Sequence, residues 1–252
     1  MIGVSSPSFS SYPMEDVLPG LAKFFKHWEI VSEAEHQLPQ IAPRLAMMMD
    51  NYDMTFSLHA PFCDTNIASL NERIREASVM EIINMVEYAV NMNMRTVTFH
   101  PGQYSMAVPD MQERSIATAK RSIRMLDRIA EEYGGNMALE NMPSMPFMLG
   151  HTAQEMAELI DGTEMPICFD VGHANTVGQI DEIIDLLGDR IINVHIHDND
   201  GTADKHMTIG DGNIDFGNVF KKLRRYTGNY IIEARSLESA VESLDRLNAL
   251  LR

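Results

Sequence analysis

Short apolar stretches alternate with longer amphipathic stretches from one end of the chain to the other. The short stretches predict eight β-strands, at residues 2–6, 28–33, 54–60, 95–101, 136–141, 166–172, 190–197 and 230–235. Between them, apolar residues recur at helical spacing, as Val79, Ile82 and Val86 do. Strand–helix units repeated through 252 residues, with no low-complexity linker, predict a (β/α)8 TIM barrel that forms one domain over residues 1–252.

An open, doubly wound parallel sheet is the alternative arrangement for the same alternation of strands and helices. Such sheets usually carry a glycine-rich phosphate-binding turn after an early strand. Neither G-x-G-x-x-G nor G-x-x-x-x-G-K-[ST] occurs in the sequence. The pattern therefore favours the closed barrel.

The composition is that of a globular chain outside the membrane. Hydrophobic residues make up 45% and charged residues 22% of the sequence. No apolar run approaches the roughly 18 residues that a membrane-spanning helix needs. The first residues lack the basic start, apolar stretch and small-residue cleavage site of a secretory signal. We therefore predict a cytoplasmic location and no membrane partner.

The net charge indicates which binding partners are disfavoured, and the cysteines indicate which metal ligands are expected. The formal net charge of −16 disfavours a sequence-independent grip on nucleic acid over most of the surface. Bound cations could still reverse the potential inside a single pocket. Cys63 and Cys168 lie in separate apolar segments without a C-x-x-C pattern, which is typical of reduced thiols. Any metal site is thus expected to use nitrogen and oxygen ligands.

Side chains able to bind a metal stand at the carboxyl ends of six consecutive predicted strands, from the third to the eighth. In a (β/α)8 barrel these ends converge on one face. Imidazole and carboxylate are ligands for divalent metals such as zinc, manganese and magnesium. We therefore expect a metal site built from the strand-end residues His59, His100, Glu140, Asp170, His195 and Glu233, with His173 just beyond Asp170.

The segment VHIHDNDGTADKH, residues 194–206, contains three of the nine histidines of the chain. Asp204 and His206 lie in the loop after the seventh strand, from which an extended backbone can reach back over the pocket. We predict both as further ligands. His197 could instead orient a ligand. Three other histidines do not fit the pattern and are interpreted as surface or packing residues: His27, His36 and His151.

A series of short motifs then resembles one known family. The motifs are SLHAPF, TFHPG, ALEN, FDVGHAN, VHIHDN, D-K-H at residues 204–206, IGDGNIDF and IIEA. From about residue 59 onward, their order and strand placement resemble the xylose isomerase-like TIM-barrel superfamily. That superfamily contains sugar phosphate isomerases and epimerases and the endonuclease IV group of AP endonucleases (AP endonuclease family 2).

The resemblance to sugar epimerases implies one divalent metal, zinc or manganese, held by residues from strands five to eight. The implied ligands are Glu140, Asp170, His195 and Glu233. The two glutamates would flank a sugar or sugar phosphate. One carboxylate would remove a proton from carbon while the other returns or relays it, with Glu140 and Glu233 as the catalytic residues.

The resemblance to the endonuclease IV group implies a different reaction, phosphodiester hydrolysis at abasic sites. Members of that group hold three zinc ions on nine protein positions, and each position has a counterpart here: His59, His100, Glu140, Asp170, His173, His195, Asp204, His206 and Glu233. Several of these positions are shared with isomerase-like members. The expected metal content is therefore one to three ions.

The predicted loops around the pocket favour a small substrate. An enzyme that grips an abasic duplex needs cationic side chains for the phosphates and wedge side chains for the bases. The loops after strands two to five contain one arginine, Arg73. Phe62 and Tyr104 suit stacking on a base or closing over a sugar, and Lys205 and Arg235 suit a phosphate on either substrate.

A metal-dependent sugar or sugar-phosphate isomerase or epimerase is accordingly the leading hypothesis. Nucleic acid is the less favoured partner, and an AP endonuclease is the alternative activity. A metal-binding barrel without catalysis is a third option, against which the presence of both Glu140 and Glu233 argues.

Overall fold

The computed structural model describes residues 1–94, 96–104 and 109–250. Eight strands close into a barrel in chain order, every neighbouring pair is parallel, and the last strand pairs with the first. The strands are β1 (Ile2–Ser5), β2 (His27–Val31), β3 (Thr55–His59), β4 (Val97–Phe99), β5 (Met137–Glu140), β6 (Ile167–Asp170), β7 (Ile191–Ile196) and β8 (Asn229–Glu233). This confirms the predicted (β/α)8 barrel.

Helices follow the strands around the outside of the barrel. They are α1 (Met14–Leu21), α2 (Leu38–Met49), α3 (Glu72–Asn91), α4 (Met111–Tyr133), α5 (Ala153–Leu159), α6 (Val171–Thr176), α7 (Ile180–Leu187), α8 (Phe216–Lys222) and α9 (Leu237–Leu250). Short 3-10 helices lie at Pro7–Ser11, Ala34–His36 and Gly188–Arg190. Among the described residues, no helix is both long enough and apolar enough to cross a membrane.

Each strand contributes to two different environments. Successive side chains of a strand point to opposite faces, so Trp28 and Glu29 on β2 face different sides of the barrel wall. Trp28 packs against Phe56 and His36 in the apolar layer beneath the helices. Glu29 hydrogen-bonds with β3 and β7 in the barrel interior. The apolar core therefore lies between barrel and helices, while the interior contains buried polar groups.

The observed strands are shorter than the predicted ones, and β6 shows why. The prediction extended this strand to residue 172, but it ends at Asp170 because α6 begins at Val171. The side chain of Asp170 accepts a hydrogen bond from the backbone N–H of His173 and so caps the helix. Arg95, where the fourth predicted strand began, and residues 105–108 of the predicted pocket loop lie outside the described residues.

The loop after β7 is folded back over the barrel by Asp198. Its buried carboxylate accepts hydrogen bonds from the backbone N–H groups of Gly210, Gly212 and Ile214. A Cβ at Gly212 would lie 2.2 Å from Oδ1 of Asp198, so only glycine permits this approach. Asp198 also pairs with Met207 through the backbone. These contacts bring residues 204–206 to the carboxyl ends of the strands.

Candidate metal centre

The residues predicted as ligands come together at the carboxyl ends of the strands in three overlapping groups. We name them the His195 centre (Glu140, Asp170, His195, Glu233), the Glu140 group (His59, His100, Glu140) and the Asp204 group (His173, His197, Asp204, His206). Each residue of the predicted ligand set belongs to at least one of them. His197, predicted to have an orienting role, lies inside the Asp204 group.

The His195 centre is organised around one imidazole nitrogen. Nδ1 of His195 lies 3.0 Å from Oε1 of Glu140, 3.2 Å from Oε1 of Glu233 and 3.9 Å from Oδ2 of Asp170. His195 and Asp170 are fully buried, and 8% of the Glu233 side chain is exposed. Three carboxylates and one imidazole from four adjacent strands thus face a common point.

Glu29 orients the imidazole of His195 from the interior of the barrel. Nε2 of His195 donates to Oε1 of Glu29 over 2.7 Å, so Nδ1 is the ring nitrogen that faces the carboxylates and would bind a metal. Ser57 and Asn193 donate to the other oxygen of Glu29 at 2.8 and 2.9 Å. Sequence reasoning missed Glu29, although a carboxylate in the middle of an apolar strand was the available signal.

Glu140 connects the His195 centre to a second set of ligands. Its Oε2 lies 3.1 Å from Nε2 of His59 and 3.0 Å from Nε2 of His100. Nδ1 of His59 faces the carbonyl oxygen of Ala60 at 2.9 Å, so Nε2 is the nitrogen available to a ligand. Phe62 stacks on the His100 ring with centroids 4.9 Å apart and shields this group on one side.

The Asp204 group joins the end of β7, helix α6 and the loop after β7. Oδ2 of Asp204 lies 3.1 Å from Nε2 of His206 and 3.5 Å from Nε2 of His173, and Oδ1 lies 3.3 Å from Nε2 of His197. His173 reaches the group because Asp170 caps α6 and so sets the direction of its first turn. The side chains of Asp204 and His206 are 15% and 19% exposed, which places them at the rim of the site.

The pKa values of the buried acids and bases shift in opposite directions. Burial alone would raise the pKa of Glu140, but the charge of His195 and the hydrogen bond with His100 hold that pKa well below its usual value. Burial alone would lower the pKa of His173, yet the charge of Asp170 and the hydrogen bond with Asp204 raise it well above its usual value. Carboxylates and protonated imidazoles therefore balance one another. A divalent cation could take over this balance by displacing the imidazole protons.

Two buried carboxylate oxygens indicate whether these residues could bind a cation. Oδ2 of Asp170 and Oδ1 of Asp204 have no hydrogen-bond partner among the described residues. A buried acceptor without a donor is costly, because it has lost water and gained nothing in return. Both atoms face other potential ligands, so the oxygen and nitrogen donors here fit a divalent metal. Burial raises the pKa of the Cys168 thiol, which makes this neighbour a poor metal ligand.

The remaining histidines singled out in the sequence lie outside these groups. His27 is buried in the barrel, with its ring nitrogens 2.8 Å from Oγ1 of Thr55 and 2.9 Å from Oγ of Ser57. His36 packs edge-on against Trp28. His151 is half-buried, and its Nε2 lies 3.0 Å from the carbonyl oxygen of Met145. Each has the packing or surface position predicted for it.

Besides Phe62, three of the cationic and aromatic residues that the sequence suggested for substrate contacts are described by the structure. Lys205 forms an ion pair with Asp200, and Arg235 is exposed. Tyr104 is half-buried, and its hydroxyl accepts a hydrogen bond from Gln112 at 3.2 Å.

Comparisons with known proteins agree with this architecture. A solved structure described as a D-tagatose 3-epimerase-like protein is 35% identical, with a TM-score of 0.93 over 99% of this chain and 96% of the other. An L-ribulose 3-epimerase is 17% identical with a TM-score of 0.83, over 99% of this chain and 94% of the other, and shares the fold.

Sequence relatives include uncharacterised proteins and probable endonucleases 4. An uncharacterised protein of Methanocaldococcus jannaschii is 37% identical, over 99% of this chain and 88% of the relative. A probable endonuclease 4 of Methanosphaera stadtmanae is 27% identical, over 82% of each. The model of the xylose isomerase-like TIM barrel family matches residues 25–250. The family match and the closed barrel together establish that the chain belongs to the xylose isomerase-like TIM barrel family.

Proposed function

We propose that this protein is a divalent-metal-dependent isomerase or epimerase of a sugar or sugar phosphate. The observation that carries the proposal is the convergence of Glu140, Asp170 and Glu233 on Nδ1 of His195. This arrangement offers one ion four ligands and leaves two glutamates at the same point. Such a pair of carboxylates can remove a proton from a carbon next to a carbonyl and return it.

The two glutamates have unequal surroundings, which assigns them different tasks. A bound divalent cation would polarise a carbonyl and its neighbouring hydroxyl. Glu140 is 1% exposed, and its two oxygens face His59, His100 and His195. Glu233 is 8% exposed and lies closer to the open side. We assign the first proton abstraction to Glu233 and the return or relay of the proton to Glu140.

The rim supports a small substrate over a nucleic acid. Lys205 is engaged by Asp200, and the net charge of the chain is −16. A duplex-binding enzyme needs several cations that contact phosphates, and each contributes to the affinity. The similarity to a D-tagatose 3-epimerase-like protein at 35% identity supports the same substrate class.

A second activity, incision of DNA at abasic sites, is favoured by one specific observation. Beyond the His195 centre, the Glu140 group and the Asp204 group contain the other ligand positions of the endonuclease IV group. A probable endonuclease 4 is also among the sequence relatives, at 27% identity. Additional metal groups would suit phosphodiester hydrolysis, in which several ions clamp the reacting phosphate.

Solvent exchange distinguishes the two activities. The zinc- or manganese-loaded protein is incubated in deuterated water with a panel of ketoses, aldoses and their phosphates, and separately with a duplex that contains one abasic site. We expect deuterium at a carbon of at least one sugar and an intact duplex. Glu233→Gln should abolish exchange, whereas Glu132→Gln, on an exposed residue of α4, should not. Metal-dependent multiple-turnover incision without exchange would transfer the assignment to the nuclease.

A further inference from the structure

Hydrogen bonds continue from Glu29 away from the metal centre, toward the amino end of the barrel. Oγ of Ser57, which donates to Oε2 of Glu29 at 2.8 Å, lies 2.9 Å from Nε2 of His27. Nδ1 of the same imidazole lies 2.8 Å from Oγ1 of Thr55. His27 and Thr55 are the first residues of β2 and β3. A chain of side-chain contacts therefore connects His195 to the opposite end of the barrel.

The hydrogen positions in this chain are fixed by the carboxylate of Glu29. Its Oε1 accepts from Nε2 of His195, and its Oε2 accepts from Ser57 and Asn193. A hydroxyl has one hydrogen, and that of Ser57 is donated to Glu29, so the hydroxyl oxygen accepts from His27. Nε2 of His27 therefore carries a hydrogen. This N–H holds the Ser57 hydroxyl in the orientation that donates to Glu29.

The barrel has space for the His27 ring because residue 3 is glycine. The ring is fully buried, and Ser57 and Glu29 are no more than 1% exposed. A Cβ at Gly3, on the neighbouring strand β1, would lie 2.6 Å from Cδ2 of His27 and 2.9 Å from Cδ1 of Ile231. The φ of Gly3 is outside the left-handed region, so the backbone does not require glycine. The missing side chain instead provides the volume that the imidazole occupies.

We propose that His27 is a positioning residue for the metal centre. It acts on His195 through Ser57 and Glu29. Without a donor at residue 27, the Ser57 hydroxyl would be free to rotate toward other acceptors, and Glu29 would lose part of a hydrogen bond. A carboxylate held less firmly orients the His195 ring less well, and an oriented ligand binds metal more tightly than a mobile one. The proposal rests on a metal at the His195 centre, but not on the substrate or the reaction.

Titration with manganese, after metal has been removed with a chelator, tests the proposal. The equivalent to follow is the one that Glu29→Gln weakens. His27→Leu keeps a side chain of similar volume but removes the donor. This equivalent should then bind about three- to tenfold more weakly, a smaller loss than the roughly 10- to 100-fold typical of a partner that contacts the ligand itself. His27→Gln, whose amide N–H can take the place of Nε2–H, should keep most of the affinity. Unaltered affinity in folded His27→Leu, or in Glu29→Gln, would overturn the proposal.

A double-mutant cycle separates an effect through Ser57 from an effect of packing. If His27 acts through this hydroxyl, His27→Leu should weaken manganese binding no further in protein that already carries Ser57→Ala. Additive losses would contradict the chain. The matched control His36→Leu changes another buried histidine, which packs against Trp28 on the other side of the barrel wall. It should lower stability without changing the manganese affinity, and a loss equal to that of His27→Leu would also contradict the proposal.

A second measurement uses chelated protein and so does not depend on metal binding. In protein labelled with ¹⁵N-histidine, the Nε2–H signal of His195 reports its hydrogen bond with the carboxylate, and its absence in His195→Asn assigns it. His27→Leu and Ser57→Ala should both shift this signal, whereas His36→Leu should leave it in place. An unshifted signal in the first two variants would exclude the connection, whatever the outcome of the sugar and DNA assays. That result would leave the proposed sugar chemistry untouched.

Discussion

Oε1 of Glu29 lies 2.7 Å from Nε2 of His195, on the opposite side of the ring from the nitrogen on which Glu140 and Glu233 converge. The contact joins β2 to β7 across the barrel interior. It holds one imidazole proton on Nε2 and leaves Nδ1 as the nitrogen from which a metal would displace the other proton. Glu29 is fully buried, and its carboxylate also accepts hydrogen bonds from Ser57 and Asn193. Burial would raise its pKa, but His195 lowers it, so Glu29 remains an anion.

Replacing Glu29 by Gln should weaken metal binding at the His195 centre. The amide keeps the shape of the carboxylate but loses the negative charge that holds a proton on Nε2 of His195. Partners that orient a metal-ligating histidine typically change affinity by about 10- to 100-fold. Manganese titration of Glu29→Gln should therefore show a weaker site, and saturating metal should restore most of the turnover. The exposed control Glu132→Gln should bind normally, and equal affinities in both variants would contradict the role of Glu29.

Replacing Glu140 or Glu233 by Gln should remove catalysis while preserving the fold. Loss of general acid–base help typically lowers turnover by a factor of about 100 or more. Glu140→Gln should also lose more metal than Glu233→Gln, because Glu140 belongs to both the His195 centre and the Glu140 group, whereas Glu233 belongs only to the His195 centre. Turnover and metal content are measured on the same preparations. Full activity in both variants would refute the assignment of these residues.

Metal removal should destabilise the protein. We expect at least one tightly bound divalent ion per chain after reconstitution with zinc and manganese. An ion present at a thousand times its dissociation constant stabilises the folded state by about 4 kcal/mol. Elemental analysis gives the occupancy, and thermal unfolding with and without chelator gives the shift in Tm. Less than about a tenth of an equivalent, with no change in Tm, would reject the metal centre.

The pH dependence of stability should reverse between chelated and metal-loaded protein. Burial opposes the protonated forms of His173 and His195, but nearby carboxylates raise both pKa values well above 6.5. In chelated protein this contribution to stability is complete below pH 6.5 and is lost as the pH rises through the folded-state pKa values. Metal binding needs unprotonated imidazole, so the loaded protein should gain stability over the same range.

Urea titrations of both forms, at pH values from 6 to 9, measure this difference. The urea concentration at half-unfolding should fall with increasing pH for the chelated protein. For the metal-loaded protein it should rise with increasing pH. Parallel curves would mean that metal does not displace protons from these histidines. The variant His151→Phe, with its change outside the metal groups, should reproduce both curves of the unmodified protein.

Local sequence patterns determined the barrel and the residue types at its carboxyl end. Alternation of short apolar stretches with amphipathic ones follows from the periods of strands and helices, which can be read without knowing any contact. Likewise, strand-end positions such as His59, Asp170 and Glu233 converge in every closed parallel barrel. Boundaries were less well predicted. Helix capping by Asp170 ends β6, and this competing local hydrogen bond leaves no trace in the hydrophobic pattern.

Only the tertiary structure shows how the predicted ligand residues divide into groups and which other residues orient them. Glu29 and His195 are 166 positions apart in the chain, so nothing in the pattern around either residue indicates the other. His197, which the sequence suggested could orient a ligand, lies among His173, Asp204 and His206, and no local pattern indicated that grouping. Periodicity is a property of neighbouring residues and is present in the sequence itself. Pairing across the barrel depends on how the strands close, and therefore appears only in the folded chain.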